Sequence, residues 1–501
     1  MTLVNTSPAG NSKDAGAGHR VRVVAARFPR IAAKVRRAIS ALAGEIRNSE
    51  PRIDEIAPFG PGVQPGSGRK PVILFGDTGE IPLLAEAGPT RYDYRIGWLA
   101  GPGDLVVVGG PKSPAFEDYQ RRVLNCPQIR YLNVDPTSRE PRRATPAICL
   151  QDGPCYQQLL AATKAGRGAT LMAHITTGTV WALASRLARD TGLPIDVAGP
   201  PPLLSRRVND KLWFGDVSAR LLGSGSVPPK RAAHSASALT RHVAELAQKW
   251  DQLVVKVPDS AGSAGNLVLA SAGLRTLSAA SLYDRLTRKM SVLGWRAHYP
   301  VAVEVWDTNV LMSPSVQTWI PRPETGLPVI EGIYEQILVG GEGAFAGAVE
   351  ADLPDRLDRA LTMGAMQLAV LFQDLGYYGR CSYDALLAGN RIENAVLHWV
   401  ECNGRWGGVS IPMALVNRLA AAGPRPSHAI VQNETLAARP RPFDAALRDF
   451  TGFELRPDLK SGIVFLSPNW IEQGSGSHFL SFGPTREAAV VQSRGVLKLL
   501  S

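Results

Sequence analysis

Glu401, Asn403 and Arg405 occupy alternate positions in the run WVECNGRWGG at residues 399–408. On an extended strand, side chains two residues apart share a face, so Glu401 and Asn403 point one way and Cys402 the other. A carboxylate beside a carboxamide makes an oxygen claw that suits Mg²⁺, a metal that keeps several waters and takes one or two protein groups plus phosphate oxygens. The chemistry such a claw serves is phosphoryl transfer. A Glu-x-Asn tripeptide also arises by chance on solvated strands, so its weight depends on the residues around it.

Four upstream segments supply further parts of a nucleotide site. Lys256 closes the β-branched run QLVVK, and Ser260, Gly262, Ser263 and Gly265 form a small-residue loop before the chain returns as NLVLA. Backbone N–H groups of such a loop can fold over phosphate oxygens. In SRRVNDK at 205–211, Asn209 or Asp210 can cap a helix, and Lys211 at its start favours a bound anion. YPVAVEVW at 299–306 is an apolar strand that carries Glu304 and ends in Val305 and Trp306; an ordinary core strand has the same pattern. Asp384 lies in a second strand, and a turn at Gly389, Asn390 and Arg391 is expected to bring it antiparallel to Glu401 and Asn403.

The elements that must hold these residues follow from the bulk pattern. A chain of 501 residues with 45% hydrophobic content makes two to four packed domains. It has no apolar run of about 20 residues, so no membrane span is expected and the protein should be soluble. Five cysteines, Cys126, Cys149, Cys155, Cys381 and Cys402, form no CxxC pair and are odd in number, which predicts reduced thiols and a cytoplasmic setting. The net charge of +11 is concentrated between Arg20 and Arg47. That stretch reads as a surface helix for an anionic partner or membrane, as an arginine-rich transit peptide, or as a loosely docked extension, and the last is the expectation. There is no strand platform of interleaved aromatic and basic residues, no zinc spacing and no helix-turn-helix pattern, so nucleic acid is not an expected partner.

Residues 1–68 read as a basic extension ending in the Pro/Gly-rich linker APFGPGVQPGSGRK. PVILFGD at 71–77, GDLVVVGGP at 103–111 and the alternating segment 168–201 read as buried parallel strands and helices, a Rossmann-like unit at 69–205. Its GDTGE and TTGT turns lack full phosphate-loop spacing and read as structural. Residues 206–425 carry the candidate site, and 426–501 read as a small α+β unit packed on it. In that unit, GSGSHF at 474–479 reads as a turn rather than an acceptor pocket. His174 and His478, without a named partner, are assigned no catalytic role.

Lysine, Gly/Ser loop, strand glutamate, strand aspartate and Glu-x-Asn in this order resemble the ATP-grasp superfamily. The 69–205 unit then resembles its pre-ATP-grasp domain, and GRWGGVSIP is similar to the peptide ligases of pheganomycin-type biosynthesis. The implied fold is α/β and α+β multidomain: a Rossmann-like pre-ATP-grasp domain, a two-subdomain ATP-grasp fold and the C-terminal unit. The resemblance implies ATP and Mg²⁺ as cofactors, with Lys211 and Lys256 on the phosphates under the 260–265 loop. It implies adenine at the backbone of Glu304, Val305 and Trp306, metal on Asp384, Glu401 and Asn403, and Arg405 steadying the transferred phosphoryl group. The family often has a second acidic residue soon after the hinge, where SPSVQTW supplies only Ser315 and Gln317. The implied reaction joins a small-molecule carboxylate to an amine, such as an amino acid or peptide, through an acylphosphate. A non-catalytic ATP-binding protein and a ligase with a thiol acceptor are the alternatives, and the resemblance allows a homodimer. Loss of Lys256 or Glu401 is expected to cost catalysis far more than stability.

Overall fold

The computed structural model describes residues 27, 29–81, 83, 92–110, 112–134, 144–260, 265–341, 343–421, 425–433, 440–456, 458, 460–474 and 476–500. In the first half, β1 (Val63–Pro65), β2 (Val72–Phe75), β3 (Leu105–Val108), β4 (Arg130–Asn133), β5 (Ala169–Ala173) and β6 (Ile195–Val197) form one parallel sheet in the order β1-β6-β5-β2-β3-β4. Its central strands are apolar at nearly every position because both faces are covered. Ile73, Phe75, Leu105 and Val107 share a core with Leu159, Trp181 and Leu187. Val72, Leu74, Val106 and Val108 turn to a second core containing Phe116, Ile430, Phe465 and Phe479.

A second sheet is antiparallel: β7 (Lys230–Ala233), β8 (Gln252–Lys256), β9 (Asn266–Ala270) and β10 (Val301–Val305), ordered β7-β10-β8-β9. Leu253, Val255, Val301, Val303 and Val305 pack with Leu239, Val243, Leu282 and Leu286 of the helices Ala236–Ala247 and Ala279–Val292. The period of two then sends Lys256 and Glu304 to the opposite face.

The third sheet has nine strands: β11 (Val310–Met312), β12 (Pro314–Ile320), β13 (Val329–Val339), β14 (Ala344–Glu350), β15 (Gly379–Ala388), β16 (Val396–Asn403), β17 (Ser427–Asn433), β18 (Gly462–Phe465) and β19 (Ser477–Gly483). The order is β11-β15-β12-β13-β14-β17-β19-β18, with β16 also on β15. The helix Asp355–Asp374 covers one face, burying Leu361, Ala365, Leu368 and Phe372 against Val316, Cys381 and Tyr383.

Three expectations are corrected and one is refined. The basic N-terminal stretch is not loosely docked where it is described: the helix Ala33–Ser49 buries Ile39, Leu42, Ala43 and Ile46 in the core beneath Asp355–Asp374. Its arginines sit at the rim, Arg36 paired with Asp374 and Arg27 with Asp358. The linker contributes β1, an edge strand beside β6. The C-terminal stretch packs on the core by joining its sheet: β17, β19 and β18 extend the nine-stranded sheet from β14. That junction needs Gly347, at φ +152°, where a Cβ would lie 2.2 Å from the carbonyl oxygen of Ile430. Finally, Cys149 and Cys155 form a disulfide, since the turn between helices Thr145–Cys149 and Pro154–Gly166 brings their Cα atoms to 5.5 Å. Cys126, Cys381 and Cys402 are buried free thiols. No helix among the described residues is long and apolar enough to cross a membrane.

If the N-terminal helix belongs to the core, Ile39→Ala will lower unfolding stability by about 2–5 kcal/mol in urea titration; a loosely docked extension would give a change within about 0.5 kcal/mol.

Candidate functional site

The three sheets meet at a cavity of about 500 Å³. The second sheet contributes Lys256 and Asn266, followed by Trp306 and Asp307; the third contributes Ser315, Asp384, Glu401 and Asn403, followed by Arg405. Loops of the parallel sheet close the far side with Thr78, Tyr92, Arg95 and His174.

On β15 and β16, Asp384 is directly opposite Glu401 and Ser382 opposite Asn403, the expected antiparallel arrangement. The register then shifts so that Ala385 faces Trp399, leaving Val400 as an extra residue. This bulge lets Trp399 and Cys402, an odd number apart, both enter the core while Glu401 and Asn403 face the cavity. Cys402 Sγ lies 3.4 Å from Cys381 Sγ behind the claw. The Ser315 hydroxyl donates to Asp384 Oδ1 at 2.5 Å, Asn403 Nδ2 donates to Oδ2 at 2.9 Å, and Gln317 donates to Ser315 at 2.9 Å. Ser315 and Gln317 thus hold the aspartate. Asp307, just after Trp306, lies 2.8 Å from His398 Nδ1 at the cavity edge.

Asp210 caps the helix Lys211–Leu222, accepting from the N–H groups of Leu212 and Trp213 at 2.8 and 3.2 Å. Lys211, 6% exposed, reaches Glu401 Oε2 at 3.2 Å and donates to the Ser260 carbonyl. Asn209 takes another role: its Oδ1 accepts from Arg405 Nη1 and from the Gly404 N–H, while Arg405 Nη2 donates to Asn403 Oδ1. Arg405 is therefore fixed at both ends of its fork. Lys256 is paired with Glu304, both buried. Lys230, opposite Glu304 in the β7–β10 register, donates to the Lys211 carbonyl at 3.1 Å. No motif marks Lys230; only strand pairing reveals it.

The remaining candidates divide. Ser260 turns inward to the Val257 carbonyl at 2.8 Å, and Gly265 is the close approach beside it, where a Cβ would meet Ser260 Oγ at 2.3 Å. Gly262 and Ser263 lie outside the described residues. Val305 faces the helical core, and the N–H groups of Val305 and Trp306 are already bonded to the carbonyls of Pro229 and Gln252. A base at this hinge would have to use carbonyls, or Asp307 and Thr308 beyond it.

Burial, and then the negative charge of Glu401, push Asp384 up to about 7. Burial acts the same way on Glu401, but Lys211 and Arg405 outweigh it and hold that carboxyl below its ordinary value. Of the two carboxyls, Asp384 is thus the one more readily protonated, and a divalent cation beside it would favour its ionised form. Among the described residues no three His, Cys, Asp or Glu side chains gather. The oxygens at this corner are those of two carboxylates and of the Asn403 carboxamide, the last also accepting from Arg405, a hard set that fits Mg²⁺.

Comparison with known proteins bears on the fold. A family model described as the pre ATP-grasp domain matches residues 93–189, within the parallel-sheet half. No curated protein matches the chain. Among solved structures, the chain is similar to N5-carboxyaminoimidazole ribonucleotide synthetase from Thermus thermophilus, with TM-score 0.51 and 14% identity, covering 86% of this chain and 98% of that one. It is also similar to the biotin carboxylase domain of the Hydrogenobacter thermophilus 2-oxoglutarate carboxylase, solved with MgADP, ADP and bicarbonate. There the TM-score is 0.50 at 13% identity, over 85% of this chain and 89% of that one. A biotin carboxylase from Campylobacter jejuni gives 0.50 and 13%, over 86% and 91%. The fold is thus mixed α/β and multidomain, with structural neighbours in the ATP-grasp superfamily.

The buried Lys256–Glu304 pair gives Lys256 a share in stability beside the larger cost to catalysis expected from its loss. Lys256→Met leaves the buried Glu304 carboxylate with only Lys230 facing it and should cost up to about 3–5 kcal/mol. Lys256→Met/Glu304→Leu should recover most of that loss while nucleotide binding stays impaired. Urea titration of the two single variants and the pair checks this.

Proposed function

We propose that the protein is an ATP-dependent carboxylate–amine ligase of the acid–amino-acid or peptide type, working through an acylphosphate in specialised peptide biosynthesis. We assign the parallel-sheet unit, from β1 to about residue 205, to the pre-ATP-grasp domain, 206–425 to the ATP-grasp domain and 426–501 to the C-terminal part. The observation that carries the reading is the meeting of Lys211, Lys256 and Arg405 with Asp384, Glu401 and Asn403 around one cavity between two antiparallel sheets. The neighbours solved with nucleotide, one with MgADP, support it.

Lys211 and Lys256 would hold the phosphates of ATP, and Asp384, Glu401 and Asn403 would hold Mg²⁺. When bound there, Mg²⁺ supplies charge neutralisation to the phosphate oxygens. A substrate carboxylate oxygen attacks the γ-phosphorus, the bond to the β–γ bridging oxygen breaks, and ADP leaves. Arg405, locked by Asn209 and Asn403, is preorganised to stabilise the charge on the transferred group. The amine nitrogen then attacks the acyl carbon, the carbon–oxygen bond to phosphate breaks, and the nitrogen loses a proton. Amide, ADP and inorganic phosphate result, with no covalent enzyme nucleophile.

ADP release with Mg²⁺ATP and a panel of carboxylates and amines should require both substrates. Hydroxylamine should intercept the acylphosphate as a hydroxamate when the amine is left out. Arg405→Met should lower kcat by about 10²–10³-fold, the scale for loss of one preorganised charge-stabilising donor. ADP release independent of any carboxylate would contradict the reading.

A further inference from the structure

Beyond the claw, the cavity continues to a wall that nucleotide chemistry does not use. Tyr92 and Arg95 flank the start of the 3-10 helix Asp93–Leu99, His174 follows the C-terminal end of β5, and Gln432 comes from β17. Arg95 is 3% exposed and stacks over the Tyr92 ring, 4.4 Å from its centroid. The Tyr92 hydroxyl accepts from Gln432 Nε2 at 3.4 Å, so two sheets fix the ring. A guanidinium held by its face presents its N–H groups in its own plane, the geometry that matches a carboxylate bidentately.

The histidines beside it do not compete for an anion. Burial, then the charges of Arg95 and Arg405, drive His174 well below its ordinary value, so the imidazole is neutral at physiological pH. His478 is paired in register with Gln432 and fully buried, with no partner on either ring nitrogen among the described residues, and burial and Arg95 depress it in the same way. Arg95 and Arg405 both line the cavity with His174, which puts two guanidinium groups on its wall. One belongs to the phosphoryl-transfer machinery. The other lines the part of the cavity where a second anionic group would lie.

We propose that this wall binds the acceptor through an acidic group of its own: the amine substrate is an amino acid or short peptide whose free C-terminal carboxylate docks on Arg95 between Tyr92, His174 and Gln432. The proposal rests on the ligase reading for the identity of the amine, and on the wall alone for the anion.

The test uses the full chain and the standard amino acids with a set of dipeptides, each as the free acid and as its C-terminal amide. Binding by ligand-observed NMR is measured beside ADP release. The wild type should bind its preferred free acid about tenfold or more tightly than the matching amide, the scale of a charge-assisted hydrogen bond. Arg95→Met should erase that preference by weakening the free acid alone, with KM for ATP unchanged, and Arg95→Lys should restore part of it. Equal binding of acid and amide by the wild type would overturn the proposal even if Arg95→Met fails to fold. An equal loss of both forms in a folded Arg95→Met would also overturn it, because the residue would then be structural. Arg95-dependent binding of free acids without ADP release would uphold the anion site while sinking the ligase reading.

Discussion

A buried ammonium keeps its charge only beside a carboxylate, and that constraint ties the antiparallel sheets of this protein to one cavity. Glu304 sits with Lys256 on one side and faces Lys230 in register on the other. Lys211, on the helix leading into the second sheet, crosses to Glu401 in the third. Arg405 joins Asn403 at the claw to Asn209 at the end of the preceding helix Pro202–Asn209. Each of these contacts spans different elements, so the charge pattern and the relative placement of the elements support one another.

The same pattern explains why the claw is held and not strained into place. Strand alternation alone puts Glu401 and Asn403 on one face, and the bulge at Val400 reconciles that with a core position for Trp399. Ser315 and Gln317 brace Asp384 from β12, the strand on the other side of β15. The claw residues thus have strands of a wide sheet as neighbours, a rigid support for groups proposed to hold a metal ion beside phosphate.

Much of this was legible in the chain because it is local. PVILFGD and GDLVVVGGP read as buried parallel strands from uninterrupted apolar character, and the opposition of Asp384 and Glu401 followed from two strands joined by a short turn. What was not legible depends on partners distant in sequence. Lys230 has meaning only opposite Glu304, Asn209 looked like a cap until Gly404 and Arg405 came to it, and Arg95 sits in a segment without a motif. Charge misled at the N-terminus: the arginines of the helix Ala33–Ser49 masked the Ile39, Leu42 and Ile46 stripe that docks it. The Cys149–Cys155 bridge was missed because the parity of the cysteine count carries no information about a local turn.

The central claim is that one cavity uses lysines from one side and carboxylates from the other to hold ATP with a divalent cation. Calorimetric titration of ATP into the protein, with Mg²⁺ present and after its removal by chelation, tests that most directly, with Asp384→Asn/Glu401→Gln as the control. ATP binding should depend on Mg²⁺ in the wild type and lose that dependence in the control. No ATP binding under either condition, or equal binding with and without Mg²⁺ in the wild type, would contradict it.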